Sequence, residues 1–182
     1  YDNLRVLIFR KYGATLTNTC LVTYREKVLR KQDGVSFFGG SKDKPAAFTY
    51  PNGSTIVVGG MDDPDKVLSA EYDLIYENEG TELNEESHET LLTRLRNGVL
   101  PNMRIIADCN PTAAKNWLHL RCDRGQAKVI YSRLTDNPAF FNDDGSPTNA
   151  GAEYLKTLES LSGTRRKRFL LGQRVGVENA IY

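Results

Sequence analysis

Leu4 to Phe9 reads LRVLIF, an almost continuous apolar run with no polar alternation. A strand with one wet face alternates apolar and polar side chains, so an unbroken run suits a strand buried on both faces of a parallel sheet. Strand and helix patterns then alternate along the chain, which predicts an α/β fold with a mostly parallel sheet. Thr15 to Lys31 carries Leu21, Val22, Val28 and Leu29 at helical spacing, with Thr15 or Thr17 as N-cap. Ala46 to Gly59 (AAFTYPNGSTIVVG) predicts a hairpin turning at Asn52-Gly53, a pair that tolerates positive φ. Tyr72 to Glu77 is the next strand. Asn84 to Arg96 is a helix with an asparagine cap, acids in its first turn and arginines in its last. Met103 to Asp108 is a strand, Ala113 to Arg124 a helix and Lys128 to Tyr131 a short strand. Leu134 to Pro147 is a polar loop, and helices over Thr148 to Leu161 and Arg165 to Leu171 follow.

At 182 residues the chain has the length of one domain, with room for a small appendage. No apolar run approaches the ~20 residues that span a bilayer. Cys20, Cys109 and Cys122 are odd in number and lack metal-ligand spacing, which argues against a disulfide framework or a zinc site and for a reducing compartment. A net charge of +1 hides an uneven distribution: residues 61–90 hold eleven acids against Lys66 alone. That window is either an acid-base or metal centre or a set of solvated helix faces.

In open α/β sheets ligands bind beyond the carboxyl ends of strands. Tyr72 to Glu77 runs into Asn78-Glu79-Gly80, and Met103 to Asp108 into Cys109-Asn110-Pro111. A strand-end carboxylate beside a second strand ending in an amide is the arrangement a nucleoside triphosphatase uses to activate water and sense the γ-phosphate. The bland alternative for Glu79 is an acid in a helix-opening turn. Arg10 and Lys11 close the first strand at the rim where a nucleotide would sit. Arg165, Arg166, Lys167 and Arg168 form a basic run that would grip DNA phosphates, face solvent or contact an adjacent subunit. Trp117, Phe140 and Phe141 read as packing residues.

YDLIYENEGTELNEESHETLLTRLR (Tyr72 to Arg96) resembles the Walker B strand and following helix of the large terminase subunits of tailed phages, the ATPases that pump DNA into capsids. Similar segments keep their order along the chain: Pro51 to Lys66, Ile105 to Arg121, Leu134 to Pro138 and Gly163 to Tyr182. The resemblance implies a P-loop NTPase-like fold of the ASCE type, with a hairpin insertion, using ATP and Mg²⁺. It implies that Glu79 is the catalytic glutamate, that Asn78 stands where many members have the Mg²⁺-associated aspartate, and that Asn110 belongs to the coupling motif. It further implies double-stranded DNA, a portal protein and a small terminase subunit as partners, a homo-oligomeric ring, no membrane, and the host cell cytoplasm as the place of action.

Three departures qualify it. Glu77 takes a position that is usually apolar, and serves either as an additional metal-shell acid or as a strand-end residue reaching solvent. Leu68 replaces a basic residue proposed to reach a neighbouring subunit's nucleotide, with Lys66 a weak substitute. No GxxxxGK[ST] loop is present: Gly34 to Gly39 has the glycine spacing, but Gly40-Ser41 follows and Pro45 comes where a helix should open. The expectation is an internal piece of a longer polypeptide: residues 1–147 a partial ATPase core with a gap in its sheet, and residues 148–182 a helical lid or linker leading at Ala180-Ile181-Tyr182 toward a nuclease domain. The rival from another class is a non-catalytic interaction module. A helicase-like or partition-type ATPase is a second rival.

Overall fold

The computed structural model describes residues 1–176, so Ala180-Ile181-Tyr182 lies outside the described residues. Strand β1 (Arg5–Arg10) buries Leu7, Ile8 and Phe9 in succession, at 0, 6 and 0% exposure. Successive side chains point to opposite faces, so both faces are covered, as the unbroken apolar run predicts. The sheet also contains β2 (Ser36–Phe38), β3 (Ala46–Thr49), β4 (Thr55–Gly60), β5 (Leu74–Glu77) and β6 (Arg104–Ala107), in the order β2-β3-β4-β1-β5-β6. From β4 to β6 all neighbours are parallel, while β2 and β3 extend one side antiparallel. The expected gap is not there: β1, β5 and β6 are hydrogen-bonded in unbroken sequence, and β6 ends the sheet with Ile106 49% exposed.

The hairpin forms as expected, but only Gly53 takes positive φ, at 80°. Its second strand pairs with β1, so the hairpin belongs to the main sheet. The helix expected over Thr15 to Lys31 breaks into α1 (Gly13–Thr17), α2 (Cys20–Thr23) and a π-helical turn over Tyr24–Val28. Threonines cause the break: β-branching lowers helix propensity, and the Thr15 and Thr19 hydroxyls donate to the carbonyls of Tyr12 and Thr15. Leu16, Leu21, Phe48, Val58 and Ile8 nevertheless form one buried cluster, and the Tyr24 hydroxyl meets that of Tyr50 beside it.

A one-turn helix, α3 (Asp65–Leu68), follows β4 and buries Val67. Next comes α4 (Glu85–Leu92), capped by the Asn84 side chain, which accepts from the Ser87 amide at 2.7 Å. It stops before the arginines expected in its last turn. Tyr72 claims that backbone instead: its amide donates to the Arg94 carbonyl at 2.8 Å, and the Arg96 amide donates to the Tyr72 carbonyl at 3.1 Å. At the same end of the sheet the wholly buried Asp73 carboxylate accepts from the amides of Arg5, Val99 and Leu100 and from Asn97 Nδ2, at 2.7–3.0 Å.

The chain divides into two compact units at Cys109/Asn110, earlier than the boundary expected after residue 147. All six strands among the described residues lie in the first unit. The second holds α5 (Trp117–Asp123), α6 (Asn149–Glu159) and α7 (Gly163–Phe169). Lys128 to Tyr131, expected as a strand, is irregular with Ile130 87% exposed, because no strand among the described residues of its unit offers a ladder to join. Trp117 is half-buried in α5, Phe141 is buried and Phe140 stacks on Tyr154, consistent with packing roles.

Candidate functional site

Register builds the site. Phe9 of β1 is aligned with Glu77 of β5, and Glu77 with Ala107 of β6, so the three parallel strands reach the rim in register. The next residues, Arg10, Asn78 and Asp108, emerge on one rim at the carboxyl ends of the strands, where open α/β sheets bind ligands. Backbone bonds carry the alignment past the strands: Asn78 N–H to the Phe9 carbonyl (2.8 Å), Asp108 N–H to the Glu77 carbonyl (3.1 Å), and Gly80 N–H to the Asp108 carbonyl (2.8 Å).

Glu79 sits at the apex of the β5 loop with φ 54° and ψ 52°, left-handed geometry that side-chain-bearing residues rarely adopt. Its amide donates to Asp108 Oδ1 at 3.1 Å, and Asn78 Nδ2 donates to the same oxygen at 3.2 Å. The chain then enters a single 3-10 turn, Gly80–Glu82. The strand ends at Glu77, so the two-residue alternation that would put Glu77 and Glu79 on one side stops before Glu79.

Glu77 is therefore not the strand-end acid reaching solvent that its position suggested. It is wholly buried, with its two oxygens 2.9 and 3.1 Å from Nδ1 of His88, itself buried on α4. A carboxylate taken from water needs such a partner, and this one is turned into the protein rather than toward an ion.

Arg10 reaches across the rim. Its Nε and Nη2 donate to the two carboxylate oxygens of Glu82 at 3.2 and 3.1 Å, and Nη1 lies 3.5 Å from Asn78 Oδ1. The hydrogen bond to Glu82 raises its pKa, against burial, with the charges of Glu82, Glu79 and Asp108 adding to the rise. Lys11 does not join this group: it is exposed, its Nζ 5.4 Å from the Tyr12 ring centroid. Tyr76, half-buried on β5, feels Asp108 as well. Burial first, and the neighbouring Asp108 carboxylate second, push its phenol up to about 12.

Asn110 is exposed and opens the second unit, two residues after Asp108. The basic run lies on α7, where Arg165, Arg166 and Lys167 are exposed and Arg168 donates to the Val175 carbonyl at 2.9 Å. Lys66 pairs with Asp63 at 2.6 Å. Gly34 to Gly39 leads into and out of β2, an edge strand followed by another strand rather than by a helix, so the glycine spacing there is not a phosphate loop.

Sequence reasoning missed Asp108, Glu82, Tyr76 and His88. Asp108 carried the available signal, a carboxylate closing an apolar strand, but its place beside Asn78 and Glu79 follows from register alone. For a resident divalent ion the donor set does not fit. Glu77 is enclosed, the Asn78 oxygen faces a guanidinium, and among the described residues no three His, Cys, Asp or Glu side chains are grouped to hold a metal.

The profile of the family described as phage terminase large subunit matches residues 2–146. The PBSX phage terminase large subunit of Bacillus subtilis (strain 168) is 28% identical over 123 residues, 67% of this chain and 28% of that protein. The large terminase of a thermophilic bacteriophage superposes with a TM-score of 0.72 at 14% identity, over 96% of this chain and 42% of its own. The same phage protein in complex with ADP superposes with a TM-score of 0.70 at 15% identity, again over 96% and 42%. The chain thus spans less than half the length of these relatives.

Proposed function

The chain belongs to the phage terminase large subunit family, and from that premise we propose that it is part of the ATPase of a DNA-packaging motor, with Glu79 as the base. One observation carries the reading: Glu79 stands at the carboxyl rim of a parallel sheet, on the loop that joins Asn78 to the helix-bearing segment, flanked by Arg10 and Asp108. At that rim a carboxylate accepts a proton from water as it attacks the γ-phosphorus, and the ADP leaving group departs in line. Mg²⁺ enters as part of the MgATP substrate, since the donor set does not hold it alone. The reading needs a phosphate loop, and no GxxxxGK[ST] motif occurs in these 182 residues. Arg10, its charge partly neutralised by Glu82, lies where it would meet nucleotide phosphates, and Asn110 would relay hydrolysis onward from the end of β6.

The wider assignments rest on the family. They are translocation of double-stranded DNA into a procapsid, a homo-oligomeric ring, a portal protein and small subunit as partners, and action in the host cell cytoplasm. No helix among the described residues is long and apolar enough to cross a membrane. The test is Glu79→Gln in the full-length protein. Hydrolysis should fall at least ~100-fold while ATP binding persists, the usual size of losing a general base. Turnover near the parent rate removes Glu79 from this role, and absence of nucleotide binding by the parent protein favours the interaction-module reading.

A further inference from the structure

Asp108 touches three consecutive residues of the loop that carries Glu79. Its Oδ1 accepts from Asn78 Nδ2 at 3.2 Å and from the Glu79 amide at 3.1 Å, and its own carbonyl accepts from the Gly80 amide at 2.8 Å. The loop it holds is strained, because Glu79 occupies a left-handed conformation at φ 54°. A residue with a side chain keeps that geometry only if its surroundings over-determine it. Here the Glu79 N–H points at a carboxylate presented by the neighbouring strand, and the Asn78 amide group is fixed from the same oxygen with its carbonyl toward Arg10.

We infer that Asp108 is a positioning residue: it clamps the Asn78-Glu79-Gly80 turn so that the Glu79 carboxylate is aimed at the attacking water. The inference rests on Glu79 being the base. Asp108 is also the residue that leads directly into Cys109-Asn110-Pro111. The clamp works by accepting hydrogen bonds. An asparagine at 108 can still accept through its carbonyl oxygen, whereas alanine cannot.

Asp108→Asn, Asp108→Ala and Glu79→Gln should be compared in the full-length protein, reading kcat and KM for ATP, ADP binding, and deuterium uptake by the peptide covering residues 78–83. Asp108→Ala should lower kcat ~10–100-fold with KM within ~3-fold, the size expected when a reacting group is misplaced by about an ångström. It should speed exchange in residues 78–83 while leaving ADP binding intact. Asp108→Asn should recover most of both losses. Near-parent turnover for Asp108→Ala overturns the inference, and so does an asparagine variant no better than alanine, which would make the charge the operative property. If Asp108→Ala loses ADP binding, the exchange of residues 78–83 in Asp108→Asn decides, and exchange as fast as in the alanine variant overturns the clamp. Should Glu79→Gln keep full turnover, the assignment of the base fails, whatever Asp108 does.

Discussion

Glu79 must combine a left-handed backbone with a carboxylate, and only the second of these suits its residue type. Glycine carries no Cβ penalty in that region, whereas alanine does. We therefore expect Glu79→Gly to be more stable than Glu79→Ala by about 1 kcal/mol, and both to be inactive; equal denaturation midpoints would show that the strain is not there. Asp73 is the opposite case. Burial acts to raise its pKa, but the hydrogen bonds from Arg5, Leu100, Asn97 and Val99 outweigh burial and hold it below the ordinary carboxylate value. A carboxyl lowered in the folded state stabilises above its unfolded pKa of ~3.9, and that contribution drains away as pH falls through the lower native value. Asp73→Ala should cost about 3 kcal/mol at pH 7, since it strands three amides and Asn97. The difference from the parent should shrink at pH 3, and urea unfolding at the two pH values measures both. An acid embedded in YDLIYE looks like a polar intrusion on a strand; the amides that justify it come from residues 5, 99 and 100, which only the fold brings together.

At the scale of elements, the pair Glu77–His88 joins the last residue of β5 to the middle of α4, so it closes the base of the loop that carries Glu79. Removing one member deprives the other, still buried, of this hydrogen bond, which typically costs about 1–3 kcal/mol. His88→Ala should destabilise by that amount. The double variant Glu77→Leu/His88→Leu should regain most of it, because apolar replacement of a buried pair is often neutral. A double variant as unstable as His88→Ala would show that the pair contributes more than mutual compensation. The core strand β1 was legible from six letters, because burial on two faces leaves no other composition. The helix after it was only half legible: Leu16 and Leu21 fix which face is buried, but the threonines between them divide the helix in a way the apolar spacing does not register.

At the scale of the whole molecule, charge is distributed by tertiary contact. In the acidic window Glu71 pairs with Arg96, Asp73 accepts from backbone amides, Glu77 faces His88 and Glu82 holds Arg10, so much of its excess is structural. In the second unit, Arg174 pairs with Asp123 at 2.8 Å, and Arg168 is engaged with a backbone carbonyl. Arg165, Arg166 and Lys167 of α7 are exposed, and DNA contact by this helix would involve them. Replacing these three with glutamine in the full-length protein should weaken DNA association and flatten its dependence on log salt by up to about three contacts' worth. An unchanged slope assigns the run to something other than phosphate contact.

What the sequence determined by itself was local: the buried parallel strands, the hairpin, the Asn84 cap, and a polar rim after each core strand. These follow from periodicity and turn chemistry, which act between near neighbours. The tertiary structure decided the rest: that Phe9, Glu77 and Ala107 lie level, that Asp108 therefore meets Asn78 and Glu79, and that Glu77 turns inward to His88. Strand register is set by the packing of whole faces against one another, so residues some thirty positions apart become neighbours by a rule that their own flanking sequence does not contain.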